Sequence, residues 1–296
     1  MGFATPCRIK VFCFFFSKKK TFLFPFLALA YPPPMPTEKI KTHRNGPIGA
    51  ITIDNPERHN AMSQDMWQAT AEAVRTFDAD PQTRIITIQG AGGRAFISGA
   101  DISRFDADRA EARPVTREGG AFNEACAAMH AAAKPTVAII RGWCLGGGMA
   151  LAVSCDLRIA ADDAVFGIPA ARLSIGYGVD GLRRIVELAG LAATREIMFT
   201  ARRYKAAEAL RMALVNQVVP AADLEAFASE YVHSIAANAP LTIAAAKSAL
   251  AQLALDPDQR DWTATDAAIA RCTTSADHLE GTKAFLEKRK PQFAGH

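Results

Sequence analysis

A change of rhythm along the chain sets the strongest limit on its fold. Between residues 48 and 219, short β-branched runs alternate with stretches whose apolar residues recur at helical spacing. Beyond about residue 221 only the helical spacing remains. "IGAITI" (48–53) reads as a strand, and "DNPERHN" (54–60) as a loop by its Asn and Pro content. Ser63 stands where an N-cap belongs, before a helical series of Met66, Ala69, Ala73, Val74 and Phe77. "RIITIQG" (84–90) is the next strand, closed by Gly90. "PTVAIIRG" (135–142), "GMALAVSCD" (148–156) and "LRIAA" (157–161) read as strand, short buried helix and strand. "KAAEALRMALVNQVV" (205–219) is a helix running into a strand. Four helical segments follow, beginning near residues 221, 241, 261 and 275. Alternation of this kind predicts an α/β core over 35–220 and a helical region over 221–296.

The chain of 296 residues, half of them hydrophobic, is long enough to bury a substantial core. Its net charge of +4 is set by the head: Arg8, Lys10, Lys18, Lys19 and Lys20 have no acid beside them in residues 1–34. Subtracting those five leaves a body at −1. A near-neutral body lacks the concentrated positive charge that nucleic-acid binding needs. The same head holds eight of the seventeen phenylalanines. Lys18–Lys20 followed by Thr21–Ala30 mimics a secretory signal, but the apolar run is too short to span a bilayer. The preferred reading is an extension or start-site artefact, with Met35 opening the folded part. None of the six cysteines forms a CxxC pair, and the four in the body sit in apolar contexts. They read as small buried thiols in a reducing, cytoplasmic setting.

Two glycine turns carry the chemistry. "AFISGADI" (95–102) follows a glycine-rich loop, and "LGGGM" (145–149) heads an apolar helix. N–H groups at a helix start are unpaired and carry the positive end of the macrodipole. Two such groups aimed at one point hold an oxygen that becomes negative during reaction; the bland alternative is that these glycines only permit close packing. No GxxxxGK[ST] or HExxH pattern occurs, the triple glycine lacks the GxGxxG spacing and the Asp about twenty residues on that a dinucleotide site wants, and Ser98 is not in a GxSxG elbow.

"TIDNPERHNAMSQDM", "FISGADI", "KPTVAIIRGWCLGGGMALAVSCDLRIA", "FGIPAARLSIGYG", "ARRYKAAEALRMALVNQVV" and "AFLEKRKPQF" occur in that order. Together they resemble the crotonase superfamily, the enoyl-CoA hydratases and isomerases, from about residue 45 to the end. The resemblance implies a spiral of ββα units with a C-terminal helical trimerisation region, giving a homotrimer or homohexamer. It implies an acyl-CoA thioester substrate and no metal or separate cofactor, coenzyme A being part of the substrate. The backbone N–H groups of Ala100 and Gly147 fall at the oxyanion-hole positions. Arg58, His59, Ser98, Asp101 and Ile102 match segments that wrap coenzyme A. Phe285 and Lys288 match the tail that closes over it, often from a neighbouring subunit. For His59 a surface loop role, and for Lys288 a solvated helix face, are the competing readings.

The sequence departs from the pattern at two places. Hydratases of this family hold water between two glutamates, and the matching positions here are Ala150 and Ala170. A methyl group neither gives nor takes a proton, so an isomerase-like or other enolate reaction is favoured over standard hydration. Asp180 and Tyr177 are the candidate acid–base groups. Asp180 also precedes an apolar-periodic run, where it reads equally as a helix N-cap. Arg172 and Glu124 read as salt-bridge or solvated charges. A catalytically silent acyl-CoA binding or scaffold subunit is the alternative from another class.

Overall fold

The computed structural model describes residues 37–100 and 120–296. Six strands form one sheet: β1 (Ile40–Asn45), β2 (Ile48–Ile53), β3 (Ile85–Gly90), β5 (Thr136–Ile140), β7 (Leu157–Ala161) and β10 (Gln217–Val219), in that spatial order. β1 pairs antiparallel with β2, and every other pair is parallel. A second sheet holds β4 (Ala95–Ile97), β6 (Trp143–Leu145), β8 (Val165–Gly167) and β9 (Tyr204–Lys205). The strands come in consecutive couples. β3 and β4, β5 and β6, and β7 and β8 each place their first member in one sheet and their second in the other. A repeated strand pair with one member per sheet, advancing one position per turn, is the ββ part of the expected spiral.

The corner between the two sheets is tight. Gly142 joins β5 to β6 at φ +65°, and a Cβ there would lie 2.0 Å from the Arg94 carbonyl oxygen. Neither the angle nor the space admits a side chain. The helices pack outside. α1 (Gln64–Ala79), α2 (Ala121–Ala131), α3 (Gly147–Ser154) and α4 (Val179–Thr200) bury their apolar faces with the sheets in one large core. α5 (Ala206–Arg211) precedes β10, as the helix-to-strand reading of 205–219 expects. The alternation along β3 divides its side chains. Ile86 and Ile88 enter the main core, while Ile85 joins Ile48, Val137 and Ile159 under α6 (Leu224–Ala236). The first sheet is thus covered on both faces, as parallel sheets require.

The expected helical region is present as α6, α7 (Pro240–Leu253), α8 (Trp262–Thr273) and α9 (Ala276–Leu286). Its tail is tied down: the buried Asp277 carboxylate accepts from the Ala294 and Gly295 amides at 2.6 and 2.9 Å. Arg84 beside β3 donates to the carbonyls of Ala236 and Phe293. Among the described residues no helix is long and apolar enough to cross a membrane. The expected extension, residues 1–34, lies outside the described residues.

One buried charge shapes the core. Arg158 in β7 is 2% exposed, and its guanidinium donates to the Cys155 carbonyl at 2.6 Å and to Ala152, Asp156 and Asn216 oxygens at 3.4 Å. It closes the C-terminal end of α3, where a cation complements the helix dipole. We expect Arg158→Met, which keeps the volume and removes the donors, to cost about 3 kcal/mol of stability, because the helix-end carbonyls lose their partners. Urea unfolding with an unchanged slope and a lowered midpoint checks this.

Candidate active site

The site begins with a strand pair. β4 and β6 are parallel neighbours, Ala95 opposite Trp143 and Ile97 opposite Cys144. Parallel strands end on the same side, so the turns that leave them, Ser98–Gly99–Ala100 and Gly146–Gly147, stand together at the carboxyl ends. The Met62 amide donates to the Gly99 carbonyl at 3.0 Å, and Met62 bridges Ala100 in parallel. The bridging residue's own N–H then points away from Met62, toward the β6 side. On that side Gly147 opens α3, where its amide is one of the helix's unpaired donors. Among the described residues, no backbone carbonyl accepts from the Ala100 or Gly147 amide.

Three contacts hold this arrangement. Gly146, at φ +54°, turns the chain from β6 into α3, and its amide donates to the Gly167 carbonyl at 2.9 Å. α3 then lies directly on β4: a Cβ on Gly148 would fall 2.5 Å from the Ile97 carbonyl oxygen and 2.7 Å from its Cβ. A Cβ on Gly146 would lie 4.0 Å from Pro169 Cδ, so the 3-10 turn Pro169–Arg172 stands beside the second glycine turn. Ala150 and Ala170 are both buried in this region, at 3% and 6% exposure, within one apolar cluster. Trp67 of α1 and Phe122 of α2 meet edge to face at 5.1 Å and close in on Gly147, whose added Cβ would lie 3.1 and 3.3 Å from them. The sequence reading missed both rings.

It also missed Asn60, which is fully buried at φ +56° in a loop. Its Oδ1 accepts from the Asn55 amide at 2.9 Å, and its Nδ2 donates to the Ala91 and Ala95 carbonyls at 3.0 and 2.7 Å. One side chain therefore fastens the loop 55–60 to the start of β4. The next residues carry Met62 to its bridge with Ala100, so Asn60 is a positioning residue for that turn. Arg58 and His59 stand beside it, where the Ser98 amide donates to the His59 carbonyl at 3.2 Å and the Ser98 hydroxyl to the Arg58 carbonyl at 3.5 Å. The structure thus gathers Arg58, His59, Ser98, Ala100 and Gly147. Asp101 and Ile102 lie outside the described residues. Phe285, 83% exposed, and Lys288 stand at the end of α9, and among the described residues neither makes a hydrogen bond or ion pair with the two turns.

The two candidate acid–base groups face opposite ways. α4 starts at Val179 with Gly178 at the cap position, so Asp180 is not the N-cap that the apolar run allowed. It lies exposed inside the first turn, where a carboxylate still complements the dipole. Tyr177 turns inward. Its ring covers Gly181, its hydroxyl is buried without a hydrogen-bond partner, and burial pushes the phenol well above its usual range. It is therefore a neutral donor at physiological pH, not a base. Glu124 pairs with Arg75 at 3.6 Å, both exposed, as a surface charge should. Cys126, Cys144 and Cys155 are buried free thiols, and burial pushes Cys126 up to about 11 and Cys155 up to about 12. Among the described residues no three of His, Cys, Asp and Glu gather to hold a metal ion.

This geometry, paired strands of two sheets ending in facing glycine turns, defines an α/β class that the comparisons name. Residues 43–296 match the family model described as enoyl-CoA hydratase/isomerase. A short-chain-enoyl-CoA hydratase of Clostridium acetobutylicum is 32% identical over 86% of this chain and 97% of that protein. A carnitinyl-CoA dehydratase of Salmonella enteritidis is 33% identical over 88% and 99%. The crystal structure of an enoyl-CoA hydratase/carnithine racemase from Magnetospirillum magneticum superposes with a TM-score of 0.81 at 34% identity, covering 88% of this chain and 97% of that one. The chain belongs to the enoyl-CoA hydratase/isomerase family, within the crotonase superfamily.

Asn60→Ala should destabilise the protein by about 3 kcal/mol, since three backbone groups, two of them buried, lose their partner. Urea unfolding measures this, and Asn60→Asp, which sets a buried carboxylate oxygen against the Ala91 and Ala95 carbonyls, should be at least as destabilised near neutral pH.

Proposed function

We propose that this chain acts on an acyl-CoA or enoyl-CoA thioester, with the Ala100 and Gly147 amides receiving the thioester oxygen. The observation that carries the reading is the parallel ending of β4 and β6, which brings the turns bearing the two amides to one edge of the sheet, and among the described residues neither amide has a backbone acceptor. Negative charge collects on that oxygen when a proton leaves the α-carbon. Two fixed donors then stabilise the enolate more than the starting thioester, and one such donor is worth on the order of 3 kcal/mol of barrier. Coenzyme A enters as part of the substrate, and no metal or redox cofactor takes part. Arg58, His59 and Ser98 edge the turn where the coenzyme would run.

Within that chemistry we favour isomerisation, or another enolate reaction, over water addition. The names of the relatives favour hydration. The buried methyls of Ala150 and Ala170 favour the other outcome, because two carboxylates are what water addition calls for. A one-base shift needs less. The base takes the α-proton of a 3-enoyl thioester, the electron pair passes to the oxygen, and the same base returns the proton to the γ-carbon. Asp180, the carboxyl of the two candidates, is assigned that base; Tyr177 stays protonated. Apolar side chains exposed on α7, α8 and α9, among them Leu250, Trp262 and Phe285, support a homotrimer or homohexamer in which Phe285 and Lys288 serve a neighbouring subunit.

A panel of saturated, 2-enoyl, 3-enoyl and dienoyl CoA thioesters tests the reading. Conversion of the 3-enoyl thioester should outrun water addition to the 2-enoyl one, and Asp180→Ala should slow it at least about 100-fold. Brisk hydration of the 2-enoyl thioester contradicts the argument from the two alanines. Tight binding with no turnover on any member identifies a silent acyl-CoA binding subunit instead.

A further inference from the structure

The Tyr177 hydroxyl is the one buried side-chain oxygen among the described residues that has no hydrogen-bond partner. The residue as a whole is half-buried in a stretch, 171–180, whose other members are exposed. Its ring packs against the main core, close enough to Cys126, Cys144 and the Arg184 guanidinium for each to act on the phenol electrostatically. Those neighbours locate it. Cys144 lies in β6, two residues before Gly146, and Cys126 lies one turn beyond Phe122, whose ring closes in on Gly147. Arg184 is already engaged, donating to the Ser154 hydroxyl at 2.6 Å and to the Cys126 carbonyl at 3.4 Å, and Ser154 in turn donates to the Ala150 carbonyl at 2.7 Å. The phenol therefore stands in the wall behind the second glycine turn, beside the helix that carries Ala150.

The rest of that wall is apolar or already satisfied. Ala150 and Ala170 are methyls, Trp67 and Phe122 are rings, and burial keeps the Cys126 thiol protonated. A buried hydroxyl that donates to nothing is unfavourable in the free protein, and native structures rarely keep one without a use. An apolar pocket with one placed donor orients its ligand through that donor.

We propose that Tyr177 is a specificity-determining residue: its O–H donates to an acceptor oxygen carried by the acyl chain, so that the natural substrate is an oxygen-bearing acyl-CoA and not a plain hydrocarbon one. This rests on the acyl-CoA reading above and adds the class of acyl group. The burial that raises the phenol's pKa keeps the proton in place for donation. A hydroxyl with no partner discriminates strongly, since an oxygen-free chain leaves it unpaired in the complex.

The test compares pentanoyl-CoA with its 3-oxo and 4-oxo counterparts, by calorimetry, in the wild type and in Tyr177→Phe. At least one oxo thioester should bind the wild type about 10-fold more tightly than pentanoyl-CoA, the ratio that one added hydrogen bond gives. In Tyr177→Phe that ratio should collapse to about 1. The ligand-free variant should melt at the same temperature as the wild type or higher, because no existing hydrogen bond is lost. An oxo preference that survives in Tyr177→Phe, no preference in the wild type, or a lowered melting temperature in the variant overturns the proposal. Failure of all three thioesters to bind the wild type overturns the acyl-CoA reading, and this inference with it.

Discussion

The parallel pairing of β4 with β6 is the contact on which the molecule turns. Each strand is three residues long, yet together they bring two backbone turns from distant parts of the chain to one edge of the second sheet. The pairing cannot loosen without cost. α3 sits so close on β4 that Gly148 has no room for a methyl against Ile97, and Gly142 has none against Arg94. Behind this pair the longer sheet supplies the fixed reference. Its isoleucine-rich strands are buried on both faces, and burying each such side chain is worth roughly 1.5–3 kcal/mol. Rigid strands thus aim the two turns.

Main-chain donors have a consequence for what the family can vary. Because the two amides belong to the backbone, Ala100 needs only to be small, and the side chains around the turns are free to set the reaction. Here the lining is largely apolar. Methyls occupy positions 150 and 170, two aromatic rings border Gly147, and the remaining polar groups are a buried phenol and an exposed carboxyl on opposite sides of the 171–180 stretch. On the proposed reading, such a lining leaves the holding of an enolate to the backbone and restricts which proton transfers can follow. The stretch 171–180 carries both the proposed base and the proposed acyl-group donor, so under this reading it is the place where specificity would change within this fold.

Much of the fold was legible in the sequence. The central strands of the first sheet, β2, β3, β5 and β7, are five or six residues long and apolar, and the C-terminal helices have clean periodicity, so IGAITI, RIITIQG and LRIAA announce themselves. The second sheet was not legible, because AFI, WCL and VFG are too short to carry a two-residue period and YK is shorter still. β1 was hidden for the opposite reason: IKTHRN is a polar, exposed edge strand. At the site, the glycine turns were visible but their partnership was not, since it depends on strand pairing between distant segments. Asn60 looked like an ordinary loop residue, although an asparagine in a turn that must reach φ > 0 is a signal of sorts. Nothing in the local pattern marks Tyr177 as pointing inward while Asp180 points out. That separation comes from where α4 begins.

The most direct measurement is a crystal structure with a slowly reacting acyl-CoA thioester bound. The thioester oxygen should lie about 2.7–3.1 Å from both the Ala100 and Gly147 amide nitrogens, the reach of a working donor pair. A bound thioester whose oxygen sits beyond hydrogen-bond distance of either nitrogen would contradict the assignment of these two turns as the reaction centre.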